Sequence, residues 1–386
     1  MHIGIDISRI AVSARTGTEH YTYELLAAIA RRDRERRYTL YCNRPPAALP
    51  PLGPNFALRR IPLARLWTHV RLSAEVLRRP PDVLFVPAHV LPLGAPLARR
   101  TRSVVTIHDM GYLHFPAAHT RAQRLYLRLS TAWSARAAHR VIAVSAATRA
   151  DLVRLAGVRP EKIAVVHHGL AERFRRRMTA DRGLTTDDHG STTGDRRRVR
   201  EIVGSEAPYF LYVGTIQPRK NLVRLIEAFA AAFNVQPSPH NVRLVIAGKT
   251  GWLAQGIAQR AAELGVADRV RFAGYVPDED VPDLMTGALA FVFPSLYEGF
   301  GMPVLEAMSC GAPVLTSTTS SLPEVAGDAA LLVDPEDTPA IAAALTRLAA
   351  EPELRAELRR RGYARAAQFT WERCAEQTLA VLLTDF

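Results

Sequence analysis

The sequence has few cysteines and no long apolar runs. Its 386 residues include only three cysteines, Cys42, Cys310 and Cys374, which lie far apart. This set excludes both a disulfide framework and a zinc site of closely spaced cysteines, and favours a reducing, cytoplasmic location. No apolar run approaches the roughly 20 residues that span a bilayer. Residues 1–6 predict a first strand rather than a signal peptide.

Charge of one sign is in excess. Fifty basic residues against 37 acidic ones give a net charge of +13, and only three of the basic residues are lysines. The arginines are scattered without an aromatic-rich basic motif, which argues against a nucleic-acid partner. Clusters such as Arg31-Arg32 and Arg99-Arg100 are interpreted either as solvated faces or as attraction to anionic lipid head groups. The second interpretation predicts peripheral association with the inner face of a membrane.

Apolar, β-branched runs alternate with helical stretches from end to end. Most runs are continuous, as in parallel strands buried on both faces, so we predict an α/β fold of two Rossmann-like, doubly wound domains. The length also exceeds what one core usually serves. A polar stretch, residues 173–204, predicts a linker or insertion between domains 1–172 and 205–368. A last helix, about 369–386, is predicted to pack back on the first domain.

The apolar, β-branched runs predict strands, and the stretches between them predict helices. Among the predicted helices, the one over 339–350 has Thr338 as its candidate cap and Pro339 in its first turn. The segments predicted to be helical include 21–31, 121–138, 222–233, 339–350 and 371–383. The predicted strands are 2–7, 38–42, 82–87, 103–108, 140–145 and 163–167 in the first domain, and 209–214, 243–248, 270–275, 288–294, 312–316 and 330–334 in the second.

The most informative segment is Glu298-Gly-Phe-Gly-Met-Pro-Val-Leu-Glu306. It follows a buried strand, and a helix is predicted to begin at Pro303, because proline suits the first helical turn. Gly299 and Gly301 let the backbone bend and present N–H groups beside the helix N-terminus, where anionic or oxygen-rich ligands bind. Glu298 projects from the turn, whereas Glu306 lies inside the helix. The two carboxylates are therefore predicted to contact different parts of one extended ligand.

A second segment, Gly214-Thr-Ile-Gln-Pro-Arg-Lys-Asn221, joins a predicted strand to a helix. Doubly wound folds hold phosphate at this position. Arg219 offers a planar fork of donors and Lys220 a point charge, which together suit a diphosphate. Asn221 is the candidate N-cap of the next helix.

Together these segments resemble the retaining glycosyltransferases of family 4, which have the GT-B fold. The resemblance covers nearly the whole chain and is more specific in the second domain. It implies two facing Rossmann-like domains with an interdomain cleft, the first on the acceptor side and the second binding a nucleotide sugar. Further matching segments are Ala247-Gly-Lys249, Gly274-Tyr-Val276-Pro and Glu306-Ala-Met-Ser-Cys-Gly-Ala-Pro-Val314 in the second domain, and Ile107-His-Asp109, Val144-Ser145 and Val166-His-His-Gly169 in the first.

The resemblance implies roles for the second-domain residues. Arg219 and Lys220 would neutralise the leaving diphosphate, close to Gly214. Glu306 would accept hydrogen bonds from the donor ribose, and Glu298 would bind hydroxyls of the transferred sugar. The remaining donor-binding positions are the backbone of Gly299, Phe300 and Gly301 beside the sugar, and Val276 and Lys249 near the nucleobase.

In the first domain the resemblance points to His108 and Asp109. His108 would reach the donor sugar across the cleft, with an acid–base role as the alternative. Gly17 and Thr18 resemble the small-residue loop that approaches the phosphates. That match is loose, because Arg15-Thr-Gly-Thr-Glu19 lacks a glycine pair.

No metal cofactor is expected. Asp278-Glu-Asp280 fits the Asp-x-Asp pattern of metal-binding glycosyltransferases, but its place at the start of a helix is better explained by the helix dipole. His108, His114 and His119 have a spacing that fits no ligand pattern on a single helix. The resemblance implies same-face substitution, in which the departing phosphate helps to deprotonate the acceptor.

The predicted function is transfer of a hexose from a nucleotide diphosphate sugar to a glycan or lipid-linked acceptor. GDP-mannose is the preferred donor, because Gln217-Pro-Arg-Lys-Asn and Ala-Gly-Lys249 resemble mannosyltransferase members. UDP-glucose or another UDP-sugar is the alternative. A more distant alternative is a non-catalytic sugar-nucleotide-binding protein, which the presence of Lys220 and Glu298 disfavours.

Overall fold

The computed structural model describes residues 1–11, 17–46, 48–63, 66–115, 120–174, 193–233, 241–249, 251 and 256–384. Two compact units emerge from its contacts. The first comprises Met1–Gly169 together with Phe369–Phe386, and the second comprises Leu170–Gln368. None of the helices in the described part of the chain has the length and apolar character that a membrane span requires.

The first unit is built on a seven-stranded parallel sheet. The strand order is β3-β2-β1-β4-β5-β6-β7. From β1 the chain builds the sheet first toward one edge and then toward the other, as in doubly wound folds. Each strand pairs in parallel with its neighbours. The strands are β1 (His2–Asp6), β2 (Arg37–Cys42), β3 (Phe56–Arg60), β4 (Val83–Val86), β5 (Arg102–Ile107), β6 (Arg140–Ala143) and β7 (Ile163–Val165).

The helices of this unit cover the sheet and include the last helix of the chain. They are α1 (Gly17–Arg32), α2 (Ser73–Arg78), α3 (Gly111–His114), α4 (Arg121–Ala137), α5 (Ala146–Ala156) and, at the C-terminal end, α14 (Trp371–Leu383). Leu379 and Leu382 of α14 lie in one core cluster with Leu25 and Ile29 of α1. Gly169 permits this packing, because a Cβ atom there would collide with the backbone of Trp371.

The second unit holds a six-stranded parallel sheet in the order β10-β9-β8-β11-β12-β13. Its strands are β8 (Tyr209–Val213), β9 (Arg243–Ala247), β10 (Val270–Gly274), β11 (Ala290–Phe293), β12 (Val314–Ser317) and β13 (Ala330–Val333). Its helices are α6 (Thr193–Val203), α7 (Leu222–Phe233), α8 (Ile257–Glu263), α9 (Val281–Thr286), α10 (Met302–Ser309), α11 (Leu322–Ala326), α12 (Thr338–Ala350) and α13 (Pro352–Ala366). The prediction of two Rossmann-like parallel-sheet domains is confirmed.

Several local features differ from the sequence prediction. Strand β3 was not predicted, and it lies at the sheet edge with a largely exposed pattern. Helix α12 is capped by Asp337 rather than Thr338, because the Asp337 carboxylate accepts from the Ala340 N–H at 2.8 Å. Residues 175–192 of the predicted linker lie outside the described residues, whereas α6 occupies its later part. Val203 of α6 is buried, which explains why this polar segment folds onto the second unit.

Candidate active site

Backbone hydrogen bonds that involve three glycines join the carboxyl ends of β8, β9 and β10. The Gly214 N–H donates to the Ala247 carbonyl at 3.0 Å, and the Gly248 N–H donates to the Gly274 carbonyl at 2.7 Å. Gly248 has a φ of 146°, and a Cβ atom there would collide with the Gly214 carbonyl oxygen. Only glycine allows this approach. The strand ends are thus held together at the edge where doubly wound sheets bind their ligands.

The turn after β8 presents the two basic residues of the second motif. Pro218–Lys220 forms a single 3-10 turn, and Asn221 follows in the left-handed region with a φ of 62°. Asn221 stands before α7 as predicted, but its side chain does not cap that helix. Its Nδ2 donates instead to the Pro335 carbonyl at 2.6 Å. The asparagine therefore ties the basic turn to the loop after β13.

Arg219, Lys220 and Glu298 meet in one buried cluster, although 78 residues separate Lys220 from Glu298. Lys220 Nζ lies 2.5 Å from Glu298 Oε1, and Arg219 Nη1 lies 2.9 Å from Glu298 Oε2. Arg219 Nη1 also donates to the Tyr297 carbonyl at 2.9 Å. Lys220 and Glu298 are only 6% and 7% exposed. Two cations therefore share one carboxylate, and the cluster carries a net positive charge.

The neighbouring charges control the protonation of this cluster. Burial alone would raise the pKa of the Glu298 carboxyl, but the charges of Lys220 and Arg219 outweigh it and hold that pKa below its ordinary value. Lys220 Nζ also lies 4.6 Å from the centre of the Phe293 ring, a cation–π contact at the end of β11. Glu298 is therefore ionised at physiological pH, and both cations have partners in the resting protein.

Two serines that the sequence analysis missed hold the loop of Glu298. The Ser320 hydroxyl accepts from the Glu298 N–H at 2.9 Å, and the Ser321 hydroxyl donates to the carbonyls of Glu298 and Phe300 at 2.9 and 2.7 Å. Ser320 has a φ of 55°. The available signal was the polar run 318–321 directly after a buried strand. These serines fix the backbone that carries the carboxylate.

The glycine-rich turn 299–301 leads directly into α10. Gly301 caps this helix with a φ of 106°, and a Cβ atom there would lie 2.8 Å from Leu322 Cδ2. The helix begins at Met302, one residue before the predicted start, and Pro303 lies in its first turn. Phe300 is buried and Gly299 is half-buried. The positive end of the α10 dipole is therefore next to Glu298 in the sequence, at a helix start that suits an anion.

Glu306 lies apart from the Lys220–Glu298 contact. It is half-buried on α10, and its carboxylate has no hydrogen-bond or ion-pair partner in the part of the chain that the structure describes. Burial raises the pKa of Glu306 to about 7, with the Arg173 charge opposing and the Asp278 charge assisting this rise. The carboxylate is thus able to accept hydrogen bonds from ligand hydroxyls, and its ionisation changes near neutral pH.

Both aspartates of the Asp-x-Asp pattern form ion pairs with arginines. Asp278 lies 3.6 Å from Arg173 Nη1, and Asp280 lies 2.7 Å from Arg198 Nε. No role was predicted for Arg173, because it is the first residue of the polar segment that was predicted to be a linker. Among the described residues, no group of three His, Cys, Asp or Glu side chains is placed to hold a metal ion. His119 of the predicted histidine set lies outside the described residues.

The predicted nucleobase contacts follow β9 and β10. Lys249 is exposed, and its Nζ lies 4.8 Å from the centre of the Tyr275 ring. Val276 is 6% exposed, whereas Tyr275 is 59% exposed. The aromatic face that a planar base could meet is therefore that of Tyr275, which the sequence analysis quoted only as part of the Gly274–Pro277 segment.

In the first unit, His108 follows β5 and is buried in an aromatic cluster. Its ring lies 4.7 Å from that of Tyr21 and 5.5 Å from that of His168, measured between centroids. His108 Nε2 donates to the Pro87 carbonyl at 2.9 Å, since a carbonyl only accepts. Burial and the neighbouring His89 lower the pKa of His108 to about 3. The imidazole is thus neutral at physiological pH, and its Nε2 is engaged in a hydrogen bond to the Pro87 carbonyl. Both facts oppose the alternative role of His108 as an acid–base group.

The other predicted site residues of the first unit make contacts with residues near them in the sequence. Gly17 and Thr18 are the first residues of α1, and the preceding residues 12–16 lie outside the described residues. The Thr18 carbonyl accepts from the Thr22 hydroxyl at 3.0 Å. Asp109 Oδ1 accepts from the Gly111 N–H at 2.9 Å, which starts the short helix α3. These contacts are structural, and the predicted phosphate contact of Gly17 and Thr18 stays a prediction.

Comparison with known proteins identifies the class as a glycosyltransferase of GT-B type. The family described as "Glycosyltransferase Family 4" matches residues 15–173, and that described as "Glycosyl transferases group 1" matches residues 195–365. O-antigen chain mannosyltransferase B of Escherichia coli is 34% identical over 329 residues, or 83% of this chain and 80% of that protein. The chain therefore belongs to glycosyltransferase family 4, as its motifs predicted.

Solved structures share the fold. Sucrose-phosphate synthase from Thermosynechococcus elongatus has a TM-score of 0.72 at 22% identity, covering 98% of both chains. HepE from Anabaena, solved in complex with UDP and glucose, has a TM-score of 0.72 at 19% identity, covering 99% of both chains. At these identities the likeness shows the fold alone, and it confirms the prediction of the GT-B class.

Proposed function

We propose that this glycosyltransferase moves mannose from GDP-mannose to a glycan or lipid-linked acceptor, with retention and without a metal. The observation that carries the transfer chemistry is the buried contact of Arg219 and Lys220 with Glu298 at the carboxyl ends of the strands. The choice of mannose is supported by the 34% identical relative, which is named a mannosyltransferase of the O-antigen chain.

The positive cluster suits a leaving diphosphate. Breaking the bond between the sugar C1 and the diphosphate oxygen leaves negative charge on that oxygen and positive charge on the sugar. Arg219 and Lys220, together with the N-terminus of α10, stabilise the negative charge without any proton transfer. Because Glu298 already orients both cations, little reorganisation is needed when the charge develops.

The acceptor hydroxyl then attacks C1 on the face that the diphosphate leaves. A new C1–O bond forms as the old one breaks, and the acceptor proton passes to the departing diphosphate. Glu298 binds hydroxyls of the sugar, supported by the backbone of Gly299, Phe300 and Gly301. No base on the protein is needed, which agrees with the imidazole of His108 being neutral and hydrogen-bonded to the Pro87 carbonyl. His108 and Asp109 are proposed only as sugar contacts.

The nucleoside is proposed to bind along the remaining positions of the second unit. Glu306 accepts hydrogen bonds from the ribose hydroxyls, and the backbone near Gly214 approaches the phosphates. Val276 and Lys249 flank the base, with the Tyr275 ring beside the lysine. UDP-glucose is the rival donor, since HepE was solved with UDP and glucose, although at 19% identity.

The test is calorimetric titration of the purified chain, with EDTA present, against GDP-mannose, UDP-glucose, UDP-N-acetylglucosamine and the parent diphosphates. We expect GDP-mannose to bind selectively, and manganese to change the affinity little because Asp278 and Asp280 are paired with arginines. Selective binding of a UDP-sugar would replace the donor but keep the class of reaction.

Two controls separate the alternatives. Binding that requires manganese would assign Asp278 and Asp280 to a metal and overturn the metal-free proposal. Binding of GDP-mannose without turnover on any glycan or lipid-linked acceptor would favour the non-catalytic sugar-nucleotide-binding protein. Anomeric analysis of the product by NMR decides between retention and inversion.

Donor affinity is expected to depend on pH through Glu306. The pKa of this carboxyl is raised to about 7, so the ionised form that accepts ribose hydroxyls is complete above that value and lost below it. Lowering the pH from about 8 to about 6 should weaken GDP-mannose binding by about tenfold. Both phosphates of a sugar diphosphate are esterified, so the donor itself does not ionise in this range. Calorimetry across the range gives the profile.

The matched variant is Glu306→Gln, which keeps the shape of the side chain but cannot ionise. We expect weaker binding that no longer changes with pH. A profile in Glu306→Gln as steep as that of the native chain would assign the titration to another group and remove Glu306 from the ribose site.

A further inference from the structure

Helix α4 of the first unit turns three large apolar residues toward solvent. Leu125, Tyr126 and Leu129 are 57%, 54% and 61% exposed. The residues that α4 buries are small, namely Thr131, Ser134 and Ala135. Leu127 and Trp133 of α4 pack against the core of the first unit, so the helix has large apolar residues on its outer face in addition to the inner apolar face of an ordinary surface helix. Adjacent exposed apolar residues of this kind are typical of an interaction surface.

The same helix is basic without any counter-charge of its own. It contains no Asp or Glu and has arginines at 121, 124, 128 and 136. Arg121 and Arg128 are exposed, and in the described part of the chain neither forms an ion pair. At 3.6 residues per turn, they flank the stripe of Leu125 and Leu129. The outer face therefore combines apolar side chains with positive charge.

A neighbouring segment extends this surface. His69 Nε2 lies 3.4 Å from the Tyr126 hydroxyl, which brings the π-helical turn Thr68–Leu72 against α4. Near that contact, Leu66 and Val70 are 70% and 51% exposed. We call the combined surface the α4 patch; its apolar members are Leu66, Val70, Leu125, Tyr126 and Leu129.

We infer that the α4 patch docks the protein on an anionic lipid bilayer. Its leucines and tyrosine enter the boundary between head groups and acyl chains, while Arg121 and Arg128 contact lipid phosphates. Interfacial helices combine these two features, and their binding depends on anionic lipid. This inference does not rest on the proposed donor or reaction.

The structure locates the surface away from Arg31-Arg32, one of the arginine clusters that the sequence suggested. Arg31 and Arg32 pair with Glu372 and Glu376 of α14 at 3.2 and 2.9 Å. Their charges are thus partly neutralised, and they have no comparable apolar stripe beside them. Charge and apolar character also distinguish a lipid bilayer from the other possible occupants of the α4 patch. A second copy would bring this positive face against itself, and a nucleic acid would leave the leucines exposed.

Flotation with vesicles tests the inference. The native chain should float with vesicles of phosphatidylglycerol mixed into phosphatidylcholine, and far less with phosphatidylcholine alone. Arg121→Gln/Arg128→Gln should lower the partition coefficient by about 20- to 30-fold, since each arginine near an anionic surface contributes about 1 kcal/mol. Leu125→Ser/Leu129→Ser should lower it by at least about tenfold.

Matched controls lie in the second unit. Arg360→Gln/Arg361→Gln removes the same charge from α13, and Leu332→Ser removes an exposed leucine from β13. Both should float like the native chain. Equal flotation with neutral vesicles, or an equal loss in the controls, would overturn the inference. So would a dimer in sedimentation that only the α4 variants dissociate, which would assign the patch to self-association.

A fluorescent label measures insertion directly. Cys42, Cys310 and Cys374 are buried, so an added surface cysteine can be labelled selectively. A polarity-sensitive probe on Leu129→Cys should shift to the blue with anionic vesicles, whereas the same probe on Leu332→Cys should not. No shift at position 129, with the protein bound to vesicles, would contradict the α4 patch. Since neither readout involves a nucleotide sugar, failure of the donor proposal would not alter these results.

Discussion

Lys220→Met is expected to lower kcat by about 10³-fold while the chain stays folded, the effect seen when one charge-stabilising group is removed from a transition state. Lys220 is one of the two cations of the buried cluster, and it lies where the leaving diphosphate is proposed to gain charge. Methionine keeps the length and the contact with Phe293 but not the charge. Steady-state kinetics at saturating donor measures the change.

The control is the same substitution at a lysine with a structural role. Lys162 Nζ donates to the Arg136 carbonyl at 2.6 Å in the first unit, and Lys162→Met should change kcat by less than about twofold. Arg219→Ala should also act mainly on turnover, because its charge faces the same cluster. A Lys220→Met enzyme with native kcat would show that the leaving group is stabilised elsewhere.

Glu298→Gln is expected to lower the free energy of unfolding of the second unit by about 3 kcal/mol, because it leaves Lys220 buried without its carboxylate. Burial of an unpaired ammonium is costly, whereas the ion pair offsets that cost. The transition of the second unit in urea measures the difference. Adding Lys220→Met to Glu298→Gln should recover part of the loss, since the double variant has no buried ammonium to desolvate.

An exposed carboxylate provides the comparison. Glu357 pairs with Arg360 and Arg361 on the solvent face of α13, all of them well exposed. Glu357→Gln should change stability far less than Glu298→Gln, because water replaces a surface ion pair easily. If the double variant is no more stable than Glu298→Gln, the cost arises from the loop and not from the ammonium.

The parallel strands could be predicted because burial on both faces leaves a continuous apolar run. Helix α7 was predicted to the residue and α14 was predicted at about its observed bounds, because both have a clear periodic apolar face. Strand β3 was missed because it is an edge strand, with Arg59 and Arg60 among its five residues. Its stability comes partly from Phe56, whose ring stacks on that of Tyr38 at 4.3 Å, and one sequence does not contain that contact.

The candidate site was predictable as separate motifs but not as a cluster. Arg219, Lys220 and Glu298 each follow a strand, and the topology of the sheet brings the ends of β8 and β11 side by side. The serines at 320 and 321 carry no motif, since a hydroxyl that holds a backbone is the commonest use of serine. The neutral state of His108 depends on its burial among three other aromatic rings, which no local pattern reveals.

Helix α14 has a consequence for the order of events at the ribosome. Its residues complete the core of the first unit, yet they are translated after the whole of the second. The usual sequence, in which N-terminal domains finish folding first, therefore cannot apply. During synthesis, the apolar surface of α1 that α14 covers stays uncovered until residues 371–383 have been made. The core of the first unit can therefore be completed only after the residues of the second unit have been made.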